Sequence, residues 1–257
     1  APGGEGTIIA VDPNNSDLVY ASSFYGRLMK SDLRMPRVPW GQKSNPDSVR
    51  SKDIFPLKAE NEEVYRGEWL AYTMLSPHDS KVIYHGFQYL FQSNDQGKTW
   101  KRISEDLTYN DKNKMGRTPY AINHQAITAV DESPLKKGLL YAGTDDGRVW
   151  MRDGETASWV SVMKGIPQNA HVSRLVASSS KEGRVYLTLS NRREDDNKPY
   201  IYVSDDKGMT WKSIASNLPS APVNVVREDQ KNANKLYCGT DMGIYVSEDA
   251  GKNWVSM

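Results

Sequence analysis

SNDQGKTW at 93–100, SDDKGMTW at 204–211 and SEDAGKNW at 247–254 are three copies of one phrase, Ser-x-Asp-x-Gly-x-(Thr/Asn)-Trp. A damaged copy, MRDGETASW at 151–159, keeps Asp153 and Trp159 but loses the serine and displaces the glycine. A fifth, SDLRMPRVPW at 31–40, keeps only Ser31, Asp32 and Trp40. Turn chemistry accounts for the pattern: the aspartate accepts from backbone N–H groups of its own hairpin, the glycine supplies positive φ, and the tryptophan packs between neighbouring sheets. Ser93, Asp95, Gly97 and Trp100, their counterparts Ser204, Asp206, Gly208 and Trp211, then Ser247, Asp249, Gly251 and Trp254, and the remnants Asp153 and Trp159, read as structural clasp residues. No metal is expected at them.

Upstream of each copy lies a second recurring phrase, an apolar run, a turn-rich stretch and then a tyrosine, at Tyr20, Tyr84, Tyr141, Tyr186 and Tyr237. Each unit therefore reads as four short strands, the last beginning at the tryptophan; β-branched and aromatic content with Asp-Pro, Ser-Pro and Asn-rich breaks favours strand over helix. The tryptophans at 40, 100, 159, 211 and 254 are 60, 59, 52 and 43 residues apart. A core unit of roughly 40–45 residues with insertions is the size of a four-stranded β-propeller blade. The expected fold is all-β, a single domain over 1–257 with blades at 7–40, 67–104, 123–163, 170–215 and 222–257 and insertions at 41–66, 104–122 and 189–199. Because the sequence stops as the outermost strand of the fifth unit begins, the expectation is a piece of a larger propeller, with further blades or domains of the same parent protein as partners.

Composition narrows the function. Thirty-three basic against 32 acidic side chains give a formal charge of +1, which provides no global field for a polyanion, so nucleic acid is not an expected partner. No apolar run reaches the ~18–20 residues of a membrane helix, so membrane insertion is not expected. Cys238 has no partner cysteine in the chain. Four histidines, without a HExxH or a cysteine cluster, supply no zinc spacing, and DKNKMG at 111–116 fails the calcium-loop pattern at Met115 and Ile122. No cofactor is expected.

The repeated octapeptide resembles the Asp box of bacterial neuraminidase repeat propellers, a grouping that includes sialidases, sortilin-type receptor domains and two-propeller xyloglucan hydrolases. Phrases such as LSPHDSKVIYHG, DESPLKKGLLYAGTDDG and VVREDQKNANKLYCGTDMGIYVS are similar to large secreted bacterial proteins described as sortilin-like or as glycosyl hydrolase repeat proteins. The resemblance implies the fold and a secreted, periplasmic or cell-surface location. In the two-propeller hydrolases the catalytic pair straddles two propellers, so the resemblance does not imply that this chain catalyses alone.

Topology suggests a working face. In a four-stranded meander all the Asp boxes share one end, while the insertions fall at the other, where recognition loops are usually carried. Inner strands start there, which places Glu68, Trp69, His124, Gln125, His171 and Asn224 at a channel mouth, with Arg174 deeper and Asp131 and Arg227 near the opposite exit. Arg192 and Arg193 in the loop NRREDDNKP add charge. A glycosidase needs two carboxylates ~5–10 Å apart. Glu68 is the one candidate at an inner strand, with Glu63, Asp106, Asp111 or the 194–196 loop as possible second members. The leading expectation is a recognition module that binds a glycan or a protein or peptide segment through this face, without catalysis by the chain alone. The alternatives are part of a polysaccharide-degrading glycoside hydrolase with Glu68 as acid/base, and an architectural module of a larger surface assembly.

Overall fold

The computed structural model describes residues 8–36, 50–115 and 125–257. The chain is all-β, with five four-stranded antiparallel sheets, each a meander of consecutive strands. It divides into two compact units, one up to Asp106 and one from Leu107. The division falls inside the 104–122 stretch, where the sequence reading has an insertion within a single domain.

In the first unit, β1 (Ile9–Asp12), β2 (Asn15–Ser22), β3 (Leu28–Asp32) and β4 (Ser51–Asp53) form one sheet, and β5 (Thr73–Leu75), β6 (Ile83–Gly86), β7 (Leu90–Ser93) and β8 (Lys101–Arg102) a second. In the second unit the sheets are β9 (Ile127–Glu132) to β10 (Leu139–Thr144), β11 (Val149–Asp153) and β12 (Val160–Ser161); β13 (His171–Ala177) to β14 (Val185–Asn191), β15 (Asp196–Ser204) and β16 (Lys212–Ser213); and β17 (Val223–Glu228) to β18 (Leu236–Thr240), β19 (Gly243–Ser247) and β20 (Val255–Ser256). These are propeller blades, and the repeat tyrosines Tyr20, Tyr141 and Tyr186 are fully buried at the centre of theirs.

Two boundaries differ from the sequence reading. The fourth strand of the first sheet is β4, paired Met29↔Asp53 and Ser31↔Ser51, inside the stretch taken as the 41–66 insertion rather than at Trp40. The degenerate box has lost its glycine, so nothing local fixes the strand start at the tryptophan; Trp40 itself lies outside the described residues. The 189–199 insertion is not a loop either. β14 and β15 continue as a ladder to Asn191↔Asp196, and a single 3-10 turn at Arg192–Glu194 closes the hairpin, with Asp195 at φ +55°.

The Asp boxes explain how one sheet holds the next. In each intact copy the serine hydroxyl donates to the aspartate (Ser93 to Asp95 at 2.8 Å) and accepts the glycine N–H (Gly97 at 2.8 Å), while the aspartate accepts the backbone N–H of the residue before the tryptophan (Thr99 at 2.9 Å). The same bonds recur at 204–210 and 247–253. The glycines take φ of +84° to +89°, which only glycine adopts cheaply. The tryptophan indole then reaches out of its own sheet: Trp211 Nε1 donates to the Val162 carbonyl at 2.7 Å and Trp254 Nε1 to Ile214 at 2.8 Å, while Trp100 does the same to Ile54 in the first unit. Asp153 of the damaged copy departs from this role. Its carboxylate pairs with Lys136 at 2.7 Å and Lys207 at 2.6 Å, and these lysines hold it below the usual carboxylate range.

Candidate functional site

A cavity of about 710 Å³ opens in the second unit on the end opposite the Asp boxes. Its walls are the 107–115 segment, the turn between β10 and β11, the connection ahead of β13, and the tip of the β14–β15 hairpin. The 107–115 segment lies along the β10–β11 turn because three groups hold it. Trp150 Nε1 donates to the Leu107 carbonyl at 2.7 Å, Arg148 to the Thr108 carbonyl at 3.1 Å, and the Tyr109 N–H to Asp146 at 2.7 Å. The Arg148 guanidinium stacks 4.1 Å over the Trp150 ring and 5.0 Å from that of Tyr109.

The turn itself is TDDGR. The Thr144 hydroxyl donates to Asp146 and accepts the Arg148 N–H at 2.9 Å, closing the loop on its own side chains. Gly147 sits at φ +93°, and a Cβ there would lie 2.6 Å from Asn169 Cα and 2.7 Å from the Ala170 nitrogen. Only glycine lets this turn approach the next sheet so closely. Asp145 is fully buried, accepts from the Gln125 and Ala126 backbone N–H groups at 3.2 and 2.8 Å, and lies 3.6 Å from the Arg193 guanidinium. Burial raises the carboxyl of Asp146 above its ordinary value, against the bonds from Thr144 and Tyr109.

Gln125, expected at a channel mouth, and Arg193, expected as a charge of the 191–199 loop, line this cavity, with Tyr109, Asp111, Lys114, Asp146, Asn169 and Glu194. Gln125 is buried, its carbonyl oxygen accepting the Asp111 N–H at 2.6 Å and its amide donating to the Asp111 carbonyl at 2.7 Å. His171, the first residue of β13, is held neutral: burial, then the Arg193 and Arg192 charges, push it down to about 3. Asn224 instead donates to Asp241 at 2.7 Å, and Arg192 reaches the same carboxylate at 3.5 Å, on the fifth sheet. Arg174 and Arg227 lie on inner strands with Asp131, whose carboxyl burial pushes up to about 7 despite the Ala177 N–H at 2.7 Å and the two arginines. His124 lies outside the described residues.

Glu68 and Trp69 belong to the first unit and sit in the connection ahead of β5, not within the strand. The Glu68 carboxylate turns back onto the Trp69 N–H. The half-buried Trp69 ring packs 4.5 Å from Phe24 and 5.4 Å edge-on from Tyr25, an aromatic cluster at the surface of the first unit in which Tyr25 is 38% exposed. The sequence reading missed Asp145, Asp146 and Tyr109 as site residues. The available signal was GTDDGR itself, a turn with two adjacent carboxylates and a required glycine, at the end of the sheet away from the Asp box.

The BNR-Asp box repeat family matches residues 244–257. An oligoxyloglucan-reducing end-specific xyloglucanase of Emericella nidulans is 26% identical over 140 residues, covering 50% of this chain and 17% of that protein. Xyloglucanase Xgh74A of Acetivibrio thermocellus is 22% identical over 231 residues, covering 81% of this chain and 25% of that protein. The chain thus spans a quarter or less of these relatives. Among solved structures, the GH74 xyloglucanase from Xanthomonas campestris superposes over 97% of this chain and 38% of its own, with a TM-score of 0.67 and 18% identity. YCF48 from Cyanidioschyzon merolae superposes over 97% of this chain and 70% of its own, with a TM-score of 0.60 and 12% identity. At these identities the structural likeness concerns the fold. The last of the repeated octapeptides is thus matched by the BNR-Asp box repeat, and the three intact copies are carried on four-stranded propeller blades.

Proposed function

We propose that this chain is a propeller portion of a secreted glycoside hydrolase of the xyloglucanase type, and that the cavity of the second unit is a subsite holding a sugar ring. The observation that carries this reading is the aromatic and polar lining of that cavity. Tyr109 is 43% exposed on its wall and fixed by Asp146 and Arg148. Around it stand the amide side chains of Asn169 and Gln125 and the charged groups of Asp111, Lys114, Arg193 and Glu194. An exposed ring beside donors and acceptors of both kinds suits a pyranose, which offers an apolar face and a rim of hydroxyls. The similarity to xyloglucanases supports a β-glucan with xylose branches as the polymer, and a polymer of that size is met outside the cell.

Both Asp146 oxygens already accept bonds, so its role in this reading is to hold the 107–115 segment rather than to protonate a leaving group. Xyloglucan oligosaccharides titrated into the folded chain by calorimetry should bind saturably, and Tyr109→Ala should weaken binding about tenfold, the effect of losing one stacked ring. Absence of binding by the folded chain to xyloglucan and unbranched β-glucan oligosaccharides alike would refute the reading. Release of reducing ends that disappears in Glu194→Gln would shift it from holding the sugar to cleaving it.

A further inference from the structure

A second cavity, of about 620 Å³, lies in the first unit, between the segment that follows β4 and the Asp box and fourth strand of the second sheet. Its volume falls within the ~300–1,000 Å³ of small-molecule sites. The segment is held in place by its own side chains. The Lys58 ammonium donates to the carbonyls of Ala59, Glu60 and Glu62 at 3.3, 3.5 and 3.3 Å. The Glu62 carboxylate accepts the Ala59 N–H at 2.9 Å and the Tyr65 hydroxyl at 2.6 Å, and the Tyr65 ring packs 5.0 Å from Phe91 and 5.3 Å from Phe87. On the Asp-box side, Trp100 donates to the Ile54 carbonyl, and Gly97 lies so close to Ile54 that a Cβ would fall 2.5 Å from its side chain. The walls are therefore preformed, and Phe55, Tyr65, Phe91 and Trp100 supply their aromatic part.

The polar groups of these walls are divided unequally between the fold and the cavity. The hydroxyl protons of Tyr65 and Thr99 and the indole proton of Trp100 are all donated within the unit. Asp53 is paired with Arg27 at 2.9 Å. Two cations on the cavity wall are left over. Among the described residues the exposed Lys98 ammonium has no ion pair, and the Arg102 side chain donates no hydrogen bond. The Arg102 guanidinium lies 4.7 Å over the Tyr89 ring and reaches Glu62 only at 3.9 Å, with 40% of its side chain exposed. The side-chain donors offered to a ligand are thus cationic, beside aromatic rings. A neutral sugar would find few partners for its hydroxyls here, whereas an anion would receive charge-assisted hydrogen bonds and the rings would cover a flat apolar body.

We propose that this cavity binds a small aromatic carboxylate, with its ring against the aromatic wall and its carboxylate at Arg102 and Lys98. The site lies within the first unit and does not rest on the sugar subsite of the second. Leu57, 79% exposed on the same wall, extends the apolar surface that such a ring would cover.

The test titrates 4-hydroxycinnamate into the full chain by calorimetry, beside its neutral amide. The acid should bind saturably at one site, and the amide about tenfold more weakly, the effect of losing one charge-assisted contact. Arg102→Gln and Lys98→Gln change exposed side chains, so both variants should melt as the parent does while binding the acid about tenfold more weakly. Tyr109→Ala should leave the affinity for the acid unchanged, which keeps this site distinct from the sugar subsite. Equal affinity for acid and amide, or full affinity in the Arg102→Gln, Lys98→Gln double variant, would overturn the proposal. So would absence of saturable binding by the folded parent. Binding of an acidic tetrapeptide amide that the double variant loses, with none of 4-hydroxycinnamate, would also overturn it and give the cavity to a protein segment.

Discussion

Trp211 Nε1 donates to the carbonyl of Val162 at 2.7 Å, across the boundary between two sheets and 49 residues back along the chain. The bond joins a turn fixed by its own side chains to the last strand of the sheet before it, so each Asp box is both a hairpin and a clasp. Trp211→Phe keeps most of the apolar contact and removes the donor. It should cost about 1–3 kcal/mol, the range for leaving a buried partner unsatisfied. Urea denaturation of the variant beside the parent chain measures it, and an unchanged midpoint would mean the indole bond contributes nothing.

The box aspartates are acid-sensitive in a defined window. The backbone N–H and hydroxyl of Thr99 hold Asp95 at about 2, and the side-chain amide and N–H of Asn253 hold Asp249 at about 2. An unfolded aspartate titrates near ~3.9, so the stabilisation is present above about pH 4 and is lost as pH falls toward 2. Asp249→Asn should therefore lower the melting temperature at pH 7 and show a smaller further fall between pH 4 and pH 2 than the parent. Parallel losses for both chains across that window would refute the assignment.

His85 gives a second pH dependence with a different window. Its Nδ1 accepts from the Thr73 hydroxyl at 2.6 Å and its Nε2 donates to the Gly26 carbonyl at 2.8 Å, so the neutral ring satisfies both partners. Burial pushes it down to about 4. The unfolded chain binds that proton from ~6.5 downward, so stability falls as pH drops from 6.5 toward 4, by up to ~1.4 kcal/mol per pH unit. His85→Gln should flatten the change between pH 7 and pH 5, as read from chemical denaturation at both values.

Gly147 ties the cavity wall to the fold. With φ of +93° and a Cβ that would meet Asn169 and Ala170 backbone, Gly147→Ala must move either the TDDGR turn or the connection ahead of β13. A cost of about 1–3 kcal/mol is expected from the backbone conformation alone. Because Asp146 holds Tyr109, the same variant should weaken oligosaccharide binding; a variant that melts lower yet binds as the parent would separate the turn from the site.

What was legible in the sequence follows from which contacts are local. The serine, aspartate and glycine of each box bond within five residues, so the octapeptide announces its hairpin, and the repeated tyrosine marks the buried second strand. The fourth strand of the first sheet was misplaced because its box has lost the glycine, and the strand is placed instead by pairings such as Met29 with Asp53 and Ser31 with Ser51, which are not encoded nearby. The cavity was harder still. Gln125 was reached through strand position and Arg193 through the charge run of its loop, but Tyr109 and Asp146 meet across 37 residues. Trp69 was placed at the channel mouth by its position ahead of an inner strand, and its packing on Phe24 and Tyr25 is not legible in the sequence around it.

Cys238, the single cysteine, reports on the fifth sheet. It is fully buried between Val226, Leu236, Ile201 and Trp254, and burial pushes its thiol up to about 12. The reactive thiolate is therefore both scarce and enclosed, and a thiol reagent at neutral pH has access only when β17–β20 separates from β13–β16. Labelling should be negligible in the native chain and should accelerate in Trp254→Phe, where the indole bond to Ile214 that closes this interface is gone. Following the reaction by absorbance across increasing urea gives the opening free energy of that sheet. A value equal to that of global unfolding would mean the fifth blade unfolds only with the rest of its unit; a lower one would mean it opens first.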